Sequence, residues 1–394
     1  MKVSFVTFYT PSPCNFKAPS ALPYHLLLHR DRSRFDVTIY SFNYNLLPQE
    51  QIDSVAEMLG VKIVTMPVLE WYSRMKRFPL SPFRAFLRLP HYSSLRLPQS
   101  IVNEIISSNP DALWVYTEDI ALVMQQFPKS MPKVLMGPDS IAMYYNRLVE
   151  STSGVQWLRN MLMRNQYARL ECRLAECGNV RCVLVGEDDC RYMRSLTDKA
   201  DVQFLVHPHY DILEKAIHFN APKIRLLITG RRDIYNHEGI EVVMNTLLSN
   251  PSLTNSYEIT MLGGDWQQNV AKLAAVGYDA HFISYATEYQ AELIRHDVQI
   301  APITQGSGTK GKVLEAMANG LLMIGTPYAM ENIQAIDGKD FIGYADSAEL
   351  LKALQAIANA PLKYEQMAER GRVAIRKNHQ PLLCSNQFFN TAFG

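Results

Sequence analysis

Apolar and polar positions along this chain switch regularly between two periods. Short apolar runs at residues 2–8, 35–40, 61–64, 112–116, 133–136 and 182–185 read as strands. Stretches of helical period separate them, notably 21–30, 99–108 and 155–178. The pattern restarts after Pro222. Strands are predicted at 224–229, 257–262, 281–284, 298–303 and 322–325, with a turn at Gly230 and a helix over 239–248. Strand alternating with helix implies a parallel sheet covered on both faces. The expected fold class is therefore α/β, with two Rossmann-like, doubly wound domains over 1–206 and 207–377. Ligands of such sheets lie outside the carboxyl ends of the strands, which places the expected site in a cleft between the halves.

Composition narrows the picture without redirecting it. A chain of 394 residues exceeds one ordinary core, and 47% apolar with 20% charged residues is a soluble globular balance. The net charge of +1 supplies no global field for nucleic acid. Six cysteines, four of them within 172–190, form no C-x-x-C pair and accompany no histidines at zinc spacing. Reduced thiols and no metal site are expected. The first residues read as a strand, without the apolar run of a signal peptide, and no run is long enough to span a bilayer. A cytoplasmic protein is the expectation.

The most informative segment runs from Gly306 to Gly320, GSGTKGKVLEAMANG, directly after the strand at 298–303. Ser307, Gly308, Thr309, Lys310 and Gly311 open a helix with small residues and two lysines, a turn that suits a phosphorylated ligand. Glycines allow close approach, and first-turn amides and the helix dipole favour negative charge. Glu315 is an acceptor placed to hold a sugar hydroxyl. By itself, a Gly-Ser-Gly turn of this kind is equally a helix N-terminus packed without any ligand.

This segment resembles the C-terminal signature of GT-B glycosyltransferases, especially the retaining, family-4-like enzymes: an acidic residue, seven others, then Glu-Ala-Met-Ala and a glycine. Glu315-Ala316-Met317-Ala318 and Gly320 match; Ser307 stands where the first acid is usual. The resemblance covers nearly the whole chain. It implies that Glu315 holds the nucleotide ribose and that residues 378–394 form a helix completing the first domain. Gly230, Arg231 and Arg232 match the family's Gly-Arg after the first strand of the second half, a phosphate site, although Glu238 occupies the usual lysine position. Arg232, Lys310 or Lys312 is the compensating cation, with Lys310 preferred. Gly263 and Gly264 end another strand, where glycine lets the backbone pass close to a ligand. Tyr285 follows the next strand, where the family places the base, and is a stacking candidate.

The first domain is expected to bind the acceptor. Gly137-Pro138-Asp139-Ser140 resembles a family loop whose Asp faces the cleft, and Glu118 after the preceding strand is a second carboxylate; both are catalytic candidates. Without such a context, an Asp after Pro is also an ordinary helix cap or turn residue. Asn15 and Lys17 in the first-strand loop are acceptor-binding candidates.

The resemblance implies a metal-independent transfer, with retention, from a nucleoside-diphosphate sugar to a glycan or lipid-linked acceptor in surface-polysaccharide assembly. The sugar nucleotide is a co-substrate and no cofactor is expected. Residues 71–98 hold six arginines and lysines and no acid, interleaved with aromatics. They suit peripheral contact with an anionic membrane surface, or else form a solvated insertion. Two rivals remain open: a sugar-nucleotide epimerase on the same fold, and a non-catalytic nucleotide-sugar-binding protein.

Overall fold

The computed structural model describes residues 1–15, 19–67, 81–197, 201–219, 222–230 and 237–394. They pack into two compact units, Met1–Pro208 with Pro381–Gly394, and His209–Gln380.

The first unit is built on strands β1 (Lys2–Thr7), β2 (Asp36–Ser41), β3 (Lys62–Thr65), β4 (Ala112–Tyr116), β5 (Lys133–Met136), β6 (Val180–Leu184) and β7 (Asp201–Phe204). They lie in the order β3-β2-β1-β4-β5-β6-β7, and every described pairing is parallel. Side chains of successive residues enter opposite faces, which the apolar runs require. Val3, Phe5, Val37, Ile39 and Trp114 enter one core. Val6, Tyr40, Leu113 and Val115 enter the other. Phe5 stacks on Trp114 with centroids 3.8 Å apart. The helix Pro381–Phe393 closes this face: Phe388 lies 4.8 Å from Trp114, and Phe389 4.8 Å from Phe35. β7 is a strand that the apolar pattern does not reveal, because Asp201 and Gln203 interrupt it.

The second unit carries β8 (Ile224–Thr229), β9 (Tyr257–Leu262), β10 (Asp279–Ile283), β11 (Val298–Ala301), β12 (Leu322–Gly325) and β13 (Ile342–Gly343). Their order is β10-β9-β8-β11-β12-β13, again parallel throughout the described pairings. Both faces are apolar, as an all-parallel sheet demands. The two-residue β13 escapes any periodicity argument. The helix expected to open at the glycine turn begins only at Gly311 and runs to Ala318. Among the described residues no helix is long and apolar enough to cross a membrane. All six cysteines are present as thiols.

Phe388→Ala removes the ring that seals Trp114 and is expected to cost about 3–5 kcal/mol in urea unfolding of the first unit. Leu383→Ala, on the same helix at a position 55% exposed, serves as the control and should stay within ~0.5 kcal/mol.

Candidate active site

Each sheet reverses its winding at one pair of strands, β1/β4 in the first unit and β8/β11 in the second. Sheets of this kind take their ligands outside the carboxyl ends at that point, because the flanking connections leave toward opposite faces. The chemistry-bearing residues of the second unit collect at its switch point.

Gly230 follows β8 and Gly263 follows β9, with φ of 138° and 133°. A side chain at Gly263 would overlap the Gly230 carbonyl oxygen, and one at Gly239 would overlap that of Pro302. The Gly230 carbonyl also accepts the indole N–H of buried Trp266 at 2.9 Å. Gly263 is thus required by contact between two strand-end loops. Arg231 and Arg232 lie outside the described residues, as does Lys17.

After β11 the chain turns through Gly306 and Gly308, at φ 130° and 62°, where a Cβ would be strained. Lys310 folds back over this turn. Its ammonium donates to the carbonyls of Ser307 (3.1 Å) and Gly308 (2.7 Å) and pairs with the Glu331 carboxylate at 3.3 Å. An ammonium has three donors, and these acceptors take all three. Lys310 therefore ties the loop, with the donors expected to meet a phosphate engaged by the chain itself. The Lys312 side chain is exposed in the first helical turn. No side chain caps this helix at Lys310.

Beneath the loop lies a polar floor. Glu315 is half-buried, and its carboxyl is pushed up to about 7 by burial, with Lys312 opposing and Asp211 adding to the rise. The Tyr289 hydroxyl sits against Thr229 and close enough to Glu315 to be raised further, burial being the main cause. Gln299 donates to the Thr229 hydroxyl at 3.2 Å, while its Oε1 and that of Gln305 are buried without a donor among the described residues. Sequence reasoning missed Thr229, Tyr289 and Gln299; a glutamine inside the apolar run of β11 was the available signal. Tyr285 is 76% exposed, so its ring is not committed to the core.

In the first unit, Asp139 is half-buried in the turn after β5. Glu118, at 2% exposure, is buried, and its Oε2 accepts from Ile141 N at 3.3 Å. A base must reach its substrate, so Glu118 has a structural setting instead of the open one expected for a catalytic carboxylate. Ser140 caps the helix Ile141–Ser151 through its hydroxyl, 3.1 Å from Met143 N. Asn15 Oδ1 accepts from Ala21 N at 3.1 Å, holding the start of the helix Ala21–Leu28. Among the described residues no group of three or more His, Cys, Asp or Glu is arranged to hold a metal ion.

Residues 223–360, which contain this switch point, match the family described as Glycosyl transferases group 1. The match covers most of the second unit and none of the first. Glycosyl transfer is the activity that the description of this family names. Solved structures share its GT-B fold over the full length. HepE from Anabaena in complex with UDP is 12% identical with a TM-score of 0.66, covering 99% of each chain. Sucrose-phosphate synthase from Thermosynechococcus elongatus is 13% identical with a TM-score of 0.67, covering 99% of this chain and 98% of its own. WaaG, a glycosyltransferase involved in lipopolysaccharide biosynthesis, is 14% identical with a TM-score of 0.62, covering 100% of both. No curated protein matches the sequence significantly.

The Glu315 carboxyl has a testable sign. Folded, it holds its proton to about 7; unfolded, it releases it near the ordinary value of 4.5. Between these values the folded state binds more protons, so this contribution to stability is lost as pH rises toward 7. Glu315→Gln should flatten the melting temperature of the second unit between about pH 5 and 8, removing a slope of at most about 1.4 kcal/mol per pH unit. Equal slopes in variant and wild type would show that burial does not hold that proton.

Proposed function

We propose that this chain transfers a glycosyl group from a nucleoside-diphosphate sugar to a glycan or lipid-linked acceptor, with retention and without a metal ion. The observation that carries the reading is the start of the helix Gly311–Ala318, with no side-chain cap at Lys310, at the β8/β11 switch point, with Glu315 and buried acceptors that have no donor among the described residues beneath it. A diphosphate satisfies first-turn amides and is favoured by the dipole, and Lys312 adds a full charge. The same groups stabilise the charge that grows on the departing diphosphate, which is where a transferase needs them. Glu315, Gln299 and Tyr289 offer partners for ribose and sugar hydroxyls, and exposed Tyr285 offers a face for the base. Uracil is the base to test first, since the HepE structures hold UDP and UDP-glucose.

In retention by front-face attack, an oxygen of the leaving phosphate takes the acceptor proton. Asp139 then orients the acceptor hydroxyl. The involvement of WaaG in lipopolysaccharide biosynthesis supports a setting in cell-surface polysaccharide assembly. Peripheral membrane contact is part of the same reading. Phe83 and Phe86, 61% and 72% exposed beside Arg84 and Arg88, suit an anionic bilayer surface. Residues 71–80 of that stretch lie outside the described residues. Ser307 in place of the usual acid favours one rival, a protein that binds sugar nucleotides without turning them over.

A thermal-shift panel of UDP, GDP, ADP, CMP and their common sugar conjugates on wild type and Glu315→Ala tests the donor site. At a hundredfold excess over Kd a ligand stabilises by about 2.7 kcal/mol, or a few degrees. One base family should give that shift, and the variant should lose it. No shift at millimolar concentration overturns the reading. A shift with no nucleotide released from any conjugate establishes the binder.

A further inference from the structure

Three carboxyls from three separate elements converge on the first turn of the helix Ile141–Ser151. Asp189, on the helix Glu187–Leu196, accepts from Ser140 N at 2.9 Å. Glu171, on the helix Gly154–Leu174, accepts with Oε1 from the Ser140 hydroxyl at 2.8 Å and from Ala142 N at 3.1 Å. Glu118, after β4, accepts from Ile141 N with Oε2. All three are buried, Glu171 and Asp189 completely. Asp189 doubles back so closely that a side chain at Gly186 would overlap its carboxylate.

The remaining oxygens decide what this cluster is. Glu118 Oε1 and Glu171 Oε2 are both buried and have no donor among the described residues, yet the two side chains lie within hydrogen-bonding reach of each other. Two bare carboxylates repel in such a setting, whereas one proton between them satisfies both oxygens. Glu171 already accepts two donors, which favours its ionised form, and Glu118 accepts one. The proton therefore belongs on Glu118. Asp119 adds to the rise of Glu118 and Asp189 to that of Glu171, and the side chains that feel the pair's charge, Tyr167, Tyr192, Cys172 and Cys182, are phenols and thiols that carry no positive charge to it. Burial raises both carboxyls, Glu118 well above its ordinary range.

We propose that Glu118, Glu171 and Asp189 form a positioning clamp in which Glu118 keeps a proton at neutral pH, donates it to Glu171, and so fixes the turn Gly137–Ser140 that presents Asp139. The importance of Asp139 rests on the transferase reading; the clamp and its proton do not.

Infrared difference spectra and amide exchange on the full chain test it. Glu118→Gln keeps an N–H donor for Glu171 and an oxygen for Ile141 N, so it folds. At neutral pH it should lose a protonated-carboxyl C=O band that the wild type shows, while exchange over residues 137–143 stays within about twofold. Glu171→Ala leaves the Ser140 hydroxyl and Ala142 N unpaired and should speed that exchange about tenfold or more. If Glu171→Ala does not fold, Glu171→Gln replaces it: the introduced amide donates to Glu118, which ionises, so the same band disappears with exchange retained. Absence of a band sensitive to either glutamine variant overturns the shared proton, and unchanged exchange in a folded Glu171→Ala overturns the clamp. Neither readout involves a nucleotide, so failure of the donor panel is seen separately.

Discussion

A parallel sheet covered on both faces has no room for polar chemistry along its strands. Every strand residue that faces a helix layer must be apolar or fully partnered, and polar side chains are confined to the carboxyl edge. Most strand positions in both units obey this constraint. In the second, strand order places β8 beside β11, so the ends of these two strands and the loops that follow become the natural place for a ligand. Gln299 is the informative exception. It enters a buried strand with its amide group bonded to Thr229 and its oxygen without a donor among the described residues, an arrangement that costs stability unless a further donor completes it.

The two units use the same element, a helix N-terminus after a central strand, to opposite ends. The helix Ile141–Ser151 has its opening donors filled by the chain's own carboxyls and by the Ser140 hydroxyl, so it holds internal anions and has nothing left for a ligand. The helix Gly311–Ala318 receives no side-chain cap, and the lysine at its start spends its charge on the preceding loop and Glu331. Helix dipoles alone would not separate these two sites, because each helix presents its positive end to the turn before it. What separates them is whether acidic side chains were supplied from within.

Much of this was legible in the sequence, and the parts that were not share a cause. β8, β9 and β12 coincide with their apolar runs because burial on both faces leaves no other pattern. The glycine turn and Glu315 were readable because small residues, lysines and an acid are contiguous there. β7 was hidden by Asp201 and Gln203, and β13 by its length. The settings of Lys310 and Glu118 depend on partners distant in sequence, Glu331 for the one and Glu171 for the other, and no local spacing encodes such a meeting. One trace did exist. Glu171 continues the stripe of Met163, Tyr167, Leu170 and Leu174 on a buried helix face that also carries Asn160 and Gln166, and an acid in that position requires a buried partner.

Glu315 links the architecture to binding. Its carboxyl is raised by the burial that makes it part of the floor, so near neutrality it is divided between two forms. On the proposed reading, hydroxyl groups of a ligand that donate to the ionised form favour it, so a sugar or ribose held in that way shifts Glu315 toward losing its proton. The cost of that loss shrinks as pH rises, and affinity for a hydroxyl-bearing ligand tightens in the direction in which the free unit loses stability. The two trends oppose one another because they have one origin. The free protein retains the proton to avoid a buried charge, and the ligand supplies the hydrogen bonds that make the charge tolerable.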